Sequence, residues 1–190
     1  AKGSGAGIKD FVNKTVDFAA SDAAMTDEEI KSVDKGVQLL PMTAGKIVLA
    51  YNLPGGPEEL KLSREAYTKI FLGQITKWND SRIAAINAGV TLPNQDIVVV
   101  HRSDGSGTTF IFTDYLSKVN PEWLRRVGRG TAVNWPVGLG GKGNEGVAGL
   151  VSQLPGAIGD VELIFALQNK MSYGSVQNMA GEFVAASERS

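Results

Sequence analysis

The chain has no cysteine, one histidine and no long apolar run. The first absence excludes disulfides and thiol chemistry and fits an exported bacterial protein. With His101 as the only histidine, no His/Cys set supports zinc. No stretch approaches the roughly 20 apolar residues of a membrane span, and no signal peptide precedes the first residues Ala1-Lys-Gly-Ser4. Because the sequence opens without methionine, it reads as processed, trimmed or incomplete at this end. Net charge is lacking too: 19 Lys and Arg against 20 Asp and Glu give −1 and no polybasic patch. Nucleic acid and anionic membrane are therefore not expected partners.

What is present suffices for a core. Hydrophobic residues make up 43% of 190, and the 23 glycines are dispersed among apolar segments, which marks turns instead of disorder. Helical and strand patterns alternate, and that argues for α/β layering. Strands are expected at Val16–Ala20, Val37–Leu40, Lys46–Asn52, from Ile97, at Ala157–Gly159 and at Ser172–Gln177. Helices are expected from Gly5 to Asn13, from Thr26 to Lys35 behind a Thr-Asp-Glu-Glu capping box, and after Ser63 as far as Gly73. Further helices are expected over Asp80–Asn87, from the 105–109 turn to Val119, Pro121–Val127, Asn144–Gln153 and Val161–Asn169. Pro41–Gly45 reads as a crossover, Pro54–Pro57 as a turn and Ala185–Ser190 as a frayed tail. A βαβ unit would need a strand before the first helix, and only four residues stand there.

Two clusters carry chemistry. In Ile97-Val-Val-Val-His-Arg-Ser-Asp-Gly-Ser-Gly-Thr-Thr-Phe110 an apolar strand enters a Gly/Ser/Thr turn and then a helix. Gly105 and Gly107 let successive N–H groups turn inward, Ser106, Thr108 and Thr109 add hydroxyls, and Arg102 adds a cation at the rim. Asp104 suits an anion site only as the partner that holds the guanidinium. The alternative is an ordinary strand–turn–helix connection with a surface Arg–Asp pair. The second cluster is Gly3-Ser-Gly-Ala-Gly7 with Ser21-Asp22. In a βαβ layout Ser4 and Asp22 both reach the carboxyl edge of the sheet, where ligands bind; otherwise Ser4 is a helix cap and Asp22 a turn residue. A carboxylate facing an anion makes sense when the anion carries a proton to donate. Phosphate does so near neutral pH and sulfate does not, and a site built around that donor rejects a ligand lacking it.

Other patterns carry less. Gly138-Leu-Gly-Gly-Lys-Gly143 matches G-x-G-x-x-G, but Trp135-Pro136 precedes it in place of an apolar strand, and Lys142 is not followed by Ser or Thr. It reads as a flexible lip of a cleft. His101 and Ser106 lack the G-x-S-x-G elbow of a hydrolase. Asp27, Glu28, Glu29, Glu58 and Glu59 read as solvated faces or helix starts. Trp78, Trp123 and Trp135 read as packing residues, with Trp135 also placed to line a cleft.

Longer stretches carry a family resemblance: Val16-Asp-Phe-Ala-Ala-Ser-Asp-Ala23, Phe71-Leu-Gly-Gln-Ile-Thr-Lys-Trp-Asn-Asp80, His101 to Phe110, Asn134-Trp-Pro-Val-Gly-Leu-Gly-Gly-Lys-Gly-Asn-Glu-Gly146 and Leu154-Pro-Gly-Ala-Ile-Gly159. In that order they resemble the PstS family, the phosphate-binding proteins of high-affinity phosphate ABC transporters. The resemblance implies an α/β, periplasmic binding protein-like (type II), two-lobed fold that closes by a hinge on one phosphate. It implies no cofactor, no catalysis, export to the periplasm or cell exterior, and delivery of the ligand to membrane permease subunits. Ser4 and Asp22 match ligand residues of the first lobe, and Arg102, Asp104, Ser106, Gly107 and Thr108 match those of the second. Asp22 would accept the phosphate proton, and Asp104 would orient Arg102.

Against the family pattern, the first strand, a Thr-Phe-Pro ligand loop and the C-terminal return to the first lobe are missing, and Asp160 replaces a usual tyrosine. The expectation is a partial first lobe over residues 1–41 and a second lobe over 42–190, essentially whole from Met42 to Asn178. Missing first-lobe segments would come from other parts of a full-length protein. Two other readings stand beside this one. One is a truncated secreted scaffold of the same fold with weakened or lost phosphate binding. The other is a phosphate-ester hydrolase, which would need a metal set or activated nucleophile that the sequence does not show.

Overall fold

In a computed structural model, which describes residues 2–57 and 59–187, the apolar runs of the sequence become strands covered on both faces. β1 (Ile47–Tyr51), β3 (Val98–Arg102) and β5 (Ala157–Glu162) form the centre of a five-stranded sheet. β4 (Leu139–Gly141) and β6 (Ser172–Tyr173) close its edges, in the order β4-β3-β5-β1-β6. β3 runs parallel to β4 and β5, with Val100 opposite Leu139 and Gly159. β1 runs antiparallel to β5 and β6, with Leu49 opposite Asp160 and Tyr51 opposite Ser172. A smaller sheet joins β2 (Lys61–Leu62), β7 (Ser175–Gln177) and β8 (Phe183–Val184).

Alternation along the strands feeds two cores. Leu49, Tyr51, Val99 and Ile158 pack against α3 (Arg64–Phe71) and α5 (Gly107–Val119), together with Trp78 and Trp123. Val48, Ala50, Val100 and Val161 pack on the other face against α7 (Gly143–Gln153) and α8 (Leu163–Gln168). The result is a three-layer α/β/α unit. Two shorter helices, α4 (Ser81–Ala84) and α6 (Pro121–Arg126), begin at the side-chain caps Asp80 and Asn120. Trp78 and Trp123 are fully buried, and their ring N–H groups donate to the carbonyls of Gly156 and Gly128 at 3.0 and 2.9 Å.

The amino-terminal part is thinner. α1 (Ser4–Val12) leads into a long irregular stretch interrupted by α2 (Asp27–Lys31), which carries the expected capping box but stops short of Lys35. The strands expected at Val16–Ala20 and Val37–Leu40 are instead exposed, irregular backbone, with Phe18 83% and Leu40 65% exposed. Their composition suits a strand, but no described strand lies beside them to supply hydrogen-bond partners. The segment from Gly138 is the converse. It is no loop: its backbone pairs with β3 as an edge strand, and glycine is tolerated because Gly140 lies close against Ser103. The strand expected over Ser172–Gln177 is divided into β6 and β7 at Gly174. The α8 helix starts at Leu163, so Val161 and Glu162 stay in β5. Glu58 and the residues after Ser187 lie outside the described part.

Candidate functional site

The carboxyl ends of β3 and β5 and the start of α5 meet at one place. Arg102 ends β3 with its side chain only 6% exposed, and its guanidinium forks onto Asp104 through Nε–Oδ1 and Nη2–Oδ2 contacts of 2.7 Å each. The bond from Arg102 holds the Asp104 carboxyl down at about 2, against some desolvation and with help from the Gly143 N–H, which donates to Oδ1 at 3.1 Å. Asp104 is thus a fixed anion, and the bidentate grip leaves Nη1 of Arg102 without a partner among the described residues.

Ser106 is the cap of α5. It is completely buried, its Oγ accepts the Thr109 N–H at 3.1 Å and its own N–H donates to the Thr131 carbonyl at 2.8 Å. Its hydroxyl hydrogen stays free to donate. Gly107 and Thr108 hold the first two helical positions, so their N–H groups have no acceptor within the helix. The Thr108 hydroxyl, expected as a ligand donor, is engaged within the protein: it donates to Glu162 Oε1 at 3.4 Å and accepts from Asn144 Nδ2 at 3.5 Å. Asn144 also donates to the same Glu162 oxygen at 3.1 Å.

The first cluster of the sequence arrives here from the other side. α1 and α5 meet start to start, and the Gly5 N–H donates to the Gly105 carbonyl at 3.0 Å. Ser4 Oγ accepts the Asp22 N–H at 3.2 Å, which leaves the Ser4 hydroxyl hydrogen free. A methyl built on Gly107 would lie 2.5 Å from Ser4 Oγ and 2.7 Å from Asp22 Oδ2, so only glycine permits this approach. Asp22 itself is solvent-exposed. All seven expected residues (Ser4, Asp22, Arg102, Asp104, Ser106, Gly107 and Thr108) therefore fall at one junction. Among the described residues, its unengaged donors are two hydroxyls, two backbone N–H groups and one guanidinium nitrogen, beside a single exposed carboxylate. Such a set stabilises an anion and can accept one proton from it. No group of three or more His, Cys, Asp or Glu side chains that could hold a metal occurs among the described residues.

Three supporting residues were not assigned to the site from the sequence: Gly143, Asn144 and Glu162. A signal was available, since Gly141-Lys142-Gly143-Asn144 passes from a strand into a helix as the 102–107 segment does. His101 takes no part in the junction. Its ring stacks on Trp135 at 4.8 Å and 12°, with Nδ1 3.0 Å from the Arg102 carbonyl oxygen.

Comparison with known proteins follows the same line. The model of the PBP superfamily domain matches residues 1–189. The phosphate-binding protein PstS of Xylella fastidiosa (strain Temecula1) is 50% identical over 189 residues, which is 99% of this chain and 51% of that protein. PstS of Pasteurella multocida is 51% identical over 191 residues, covering 99% and 54%. Among solved structures, a putative phosphate ABC transporter substrate-binding protein with bound phosphate from Clostridium perfringens superposes with a TM-score of 0.71. It is 22% identical over 98% of this chain and 64% of its own, a likeness of fold. The chain spans about half the length of the curated relatives it matches.

Proposed function

The chain belongs to the PBP superfamily and has the α/β fold of its periplasmic binding proteins, and from that premise we propose that it binds inorganic phosphate for an ABC transporter. In this reading α1 with Ser4 and Asp22 belongs to the first lobe and the α/β/α unit is the second. Phosphate enters between them, and the protein works outside the cytoplasm, passing its ligand to permease subunits without chemical change. Arg102 Nη1 is the cationic contact, fixed by Asp104. Ser4, Ser106 and the N–H groups of Gly107 and Thr108 are donors, and the Thr108 hydroxyl joins them on leaving Glu162. Asp22 accepts the ligand's proton.

The observation that carries the reading is the meeting of Ser4 and Asp22 with Gly107 at the start of α5, opposite the Arg102–Asp104 pair. Five donors call for an anion. The exposed carboxylate among them penalises any anion that has no proton to give. Half-identity to PstS proteins supports phosphate as that anion.

Isothermal titration with phosphate and with sulfate tests this. Phosphate is expected to bind and sulfate to bind far more weakly. Arg102→Ala and Asp22→Ala are each expected to reduce phosphate affinity at least about tenfold, as loss of a charge-assisted contact does. Equal affinity for the two anions, or no heat with phosphate, would overturn the proposal.

A further inference from the structure

One ionisable group beside this junction is unused by the reading above. Strand alternation turns Gly159 toward α7, where an added methyl would lie 3.0 and 3.1 Å from the Val147 and Val151 side chains. Asp160 therefore points to the opposite face, with Ile158, toward α5. It has no exposed surface, and neither carboxyl oxygen has a hydrogen-bond partner. In the first turn of α5 the Thr109 hydroxyl is likewise buried without a partner. The Thr108–Glu162 contact at 3.4 Å ties that turn to β5 two residues beyond Asp160. The acid thus sits on the α5-facing side of β5, two residues before the one that contacts the first turn of α5.

Its surroundings supply little to hold a charge. From β3 come Arg102, already gripped by both oxygens of Asp104, and His101, stacked on Trp135. Along β5 the nearest acid is Glu162, occupied by Asn144 and Thr108. β1 places Leu49 opposite, α5 presents Thr108 and Thr109, and α7 contributes Asn144 while its Glu145 is exposed. Burial pushes the carboxyl up to about 7, with its own backbone N–H and then Arg102 pulling the other way. An ionised Asp160 and an anion in the cradle repel each other where water is excluded, so the second negative charge is accepted best with a proton.

We propose that Asp160 is an affinity-determining residue of the anion site, and that phosphate binding is coupled to uptake of one solvent proton by its carboxylate. The inference rests on the phosphate reading. The balance is simple: Asp160 carboxylate, a proton and phosphate become a neutral Asp160 carboxyl with phosphate bound, and no covalent bond of the ligand changes. Protons carried by phosphate itself, or received by Asp22, are the same whether position 160 titrates or not.

The test is phosphate calorimetry at about pH 8 in buffers of different ionisation enthalpy, on the wild type and Asp160→Asn. The wild type is expected to take up close to one proton more per phosphate than the variant. Between about pH 7 and 9 the ratio of wild-type to variant affinity is expected to fall by up to tenfold per pH unit, the slope of one linked proton. Equal proton counts with phosphate bound in both proteins overturn this inference alone; absence of phosphate binding overturns the phosphate reading and this with it. Should Asp160→Asn fail to fold, carbon-13 titration of the wild-type aspartate carboxyls decides. A buried carboxyl whose apparent pKa rises on adding phosphate supports the coupling, and one that does not move overturns it.

Discussion

At the scale of single residues the contrast is between Asp104 and Asp160, two acids near one arginine. Asp104 receives both forks of the guanidinium and a backbone N–H, and stays ionised to about pH 2. Asp160 is fully buried with no hydrogen-bond partner on either oxygen, so burial, against weaker pulls from its own backbone N–H and from Arg102, favours its neutral form up to about pH 7. That difference has a consequence for stability. The unfolded chain releases the Asp160 proton near its ordinary value of 3.8, whereas the folded protein keeps it to about 7. Between those values the folded state holds the extra proton, so stability declines as pH rises through that window and stays reduced above it. Asp160→Asn does not titrate. Its stability relative to wild type is expected to grow between about pH 4 and pH 8, by on the order of 2–4 kcal/mol. Urea unfolding of both proteins at the two pH values measures this, and a difference independent of pH would refute it.

At the scale of elements, caps explain which helices form where the pattern says. Asn120 ends α5 and begins α6, and its Oδ1 accepts the N–H groups of Glu122 and Trp123 at 2.8 and 3.0 Å. Trp123 is a fully buried ring of the larger core, so a loosened α6 start is felt by the packing. Asn120→Ala is expected to lower stability by about 1 kcal/mol, and Asn120→Asp to restore most of it. Shifts of the urea midpoint at constant slope would show both; an Ala variant as stable as wild type would remove the cap from the account. Strands obey a different rule. Val16–Ala20 and Val37–Leu40 have suitable residues but no strand to pair with among the described residues, whereas Leu139–Gly141 has poor ones and a neighbour in β3. Pairing decided all three.

At the scale of the molecule, stability is unevenly spread. From β1 onward the chain is folded around two cores, while residues 13–45 lie mostly on the surface, with Lys31 and Lys35 exposed. Trypsin is expected to cut first at Lys14, Lys31 or Lys35 and to leave a resistant product containing β1 to β5. Phosphate is expected to slow those first cuts, because it would hold Ser4 and Asp22 against α5. Mass spectrometry of a timed digest checks both statements, and primary cleavage between β1 and β5 would contradict the first.

The sequence alone determined a good deal. The apolar run Ile97–Val100 announced a strand, Ser63 and Pro121 announced helix starts, and Gly105-Ser-Gly-Thr108 announced the turn into a further helix. These are local matters, set by side-chain period and backbone freedom within a few residues. Only the tertiary structure decided that β4 exists, that Thr108 is bound to Glu162 and Asn144, and that Gly143 buttresses Asp104. It also decided that Asp160, which the sequence marks only as an acid in place of a usual tyrosine, is fully buried with neither carboxyl oxygen hydrogen-bonded. Each of these depends on which distant strands and helices become neighbours, and partners and burial are properties of the packed chain that no local pattern carries.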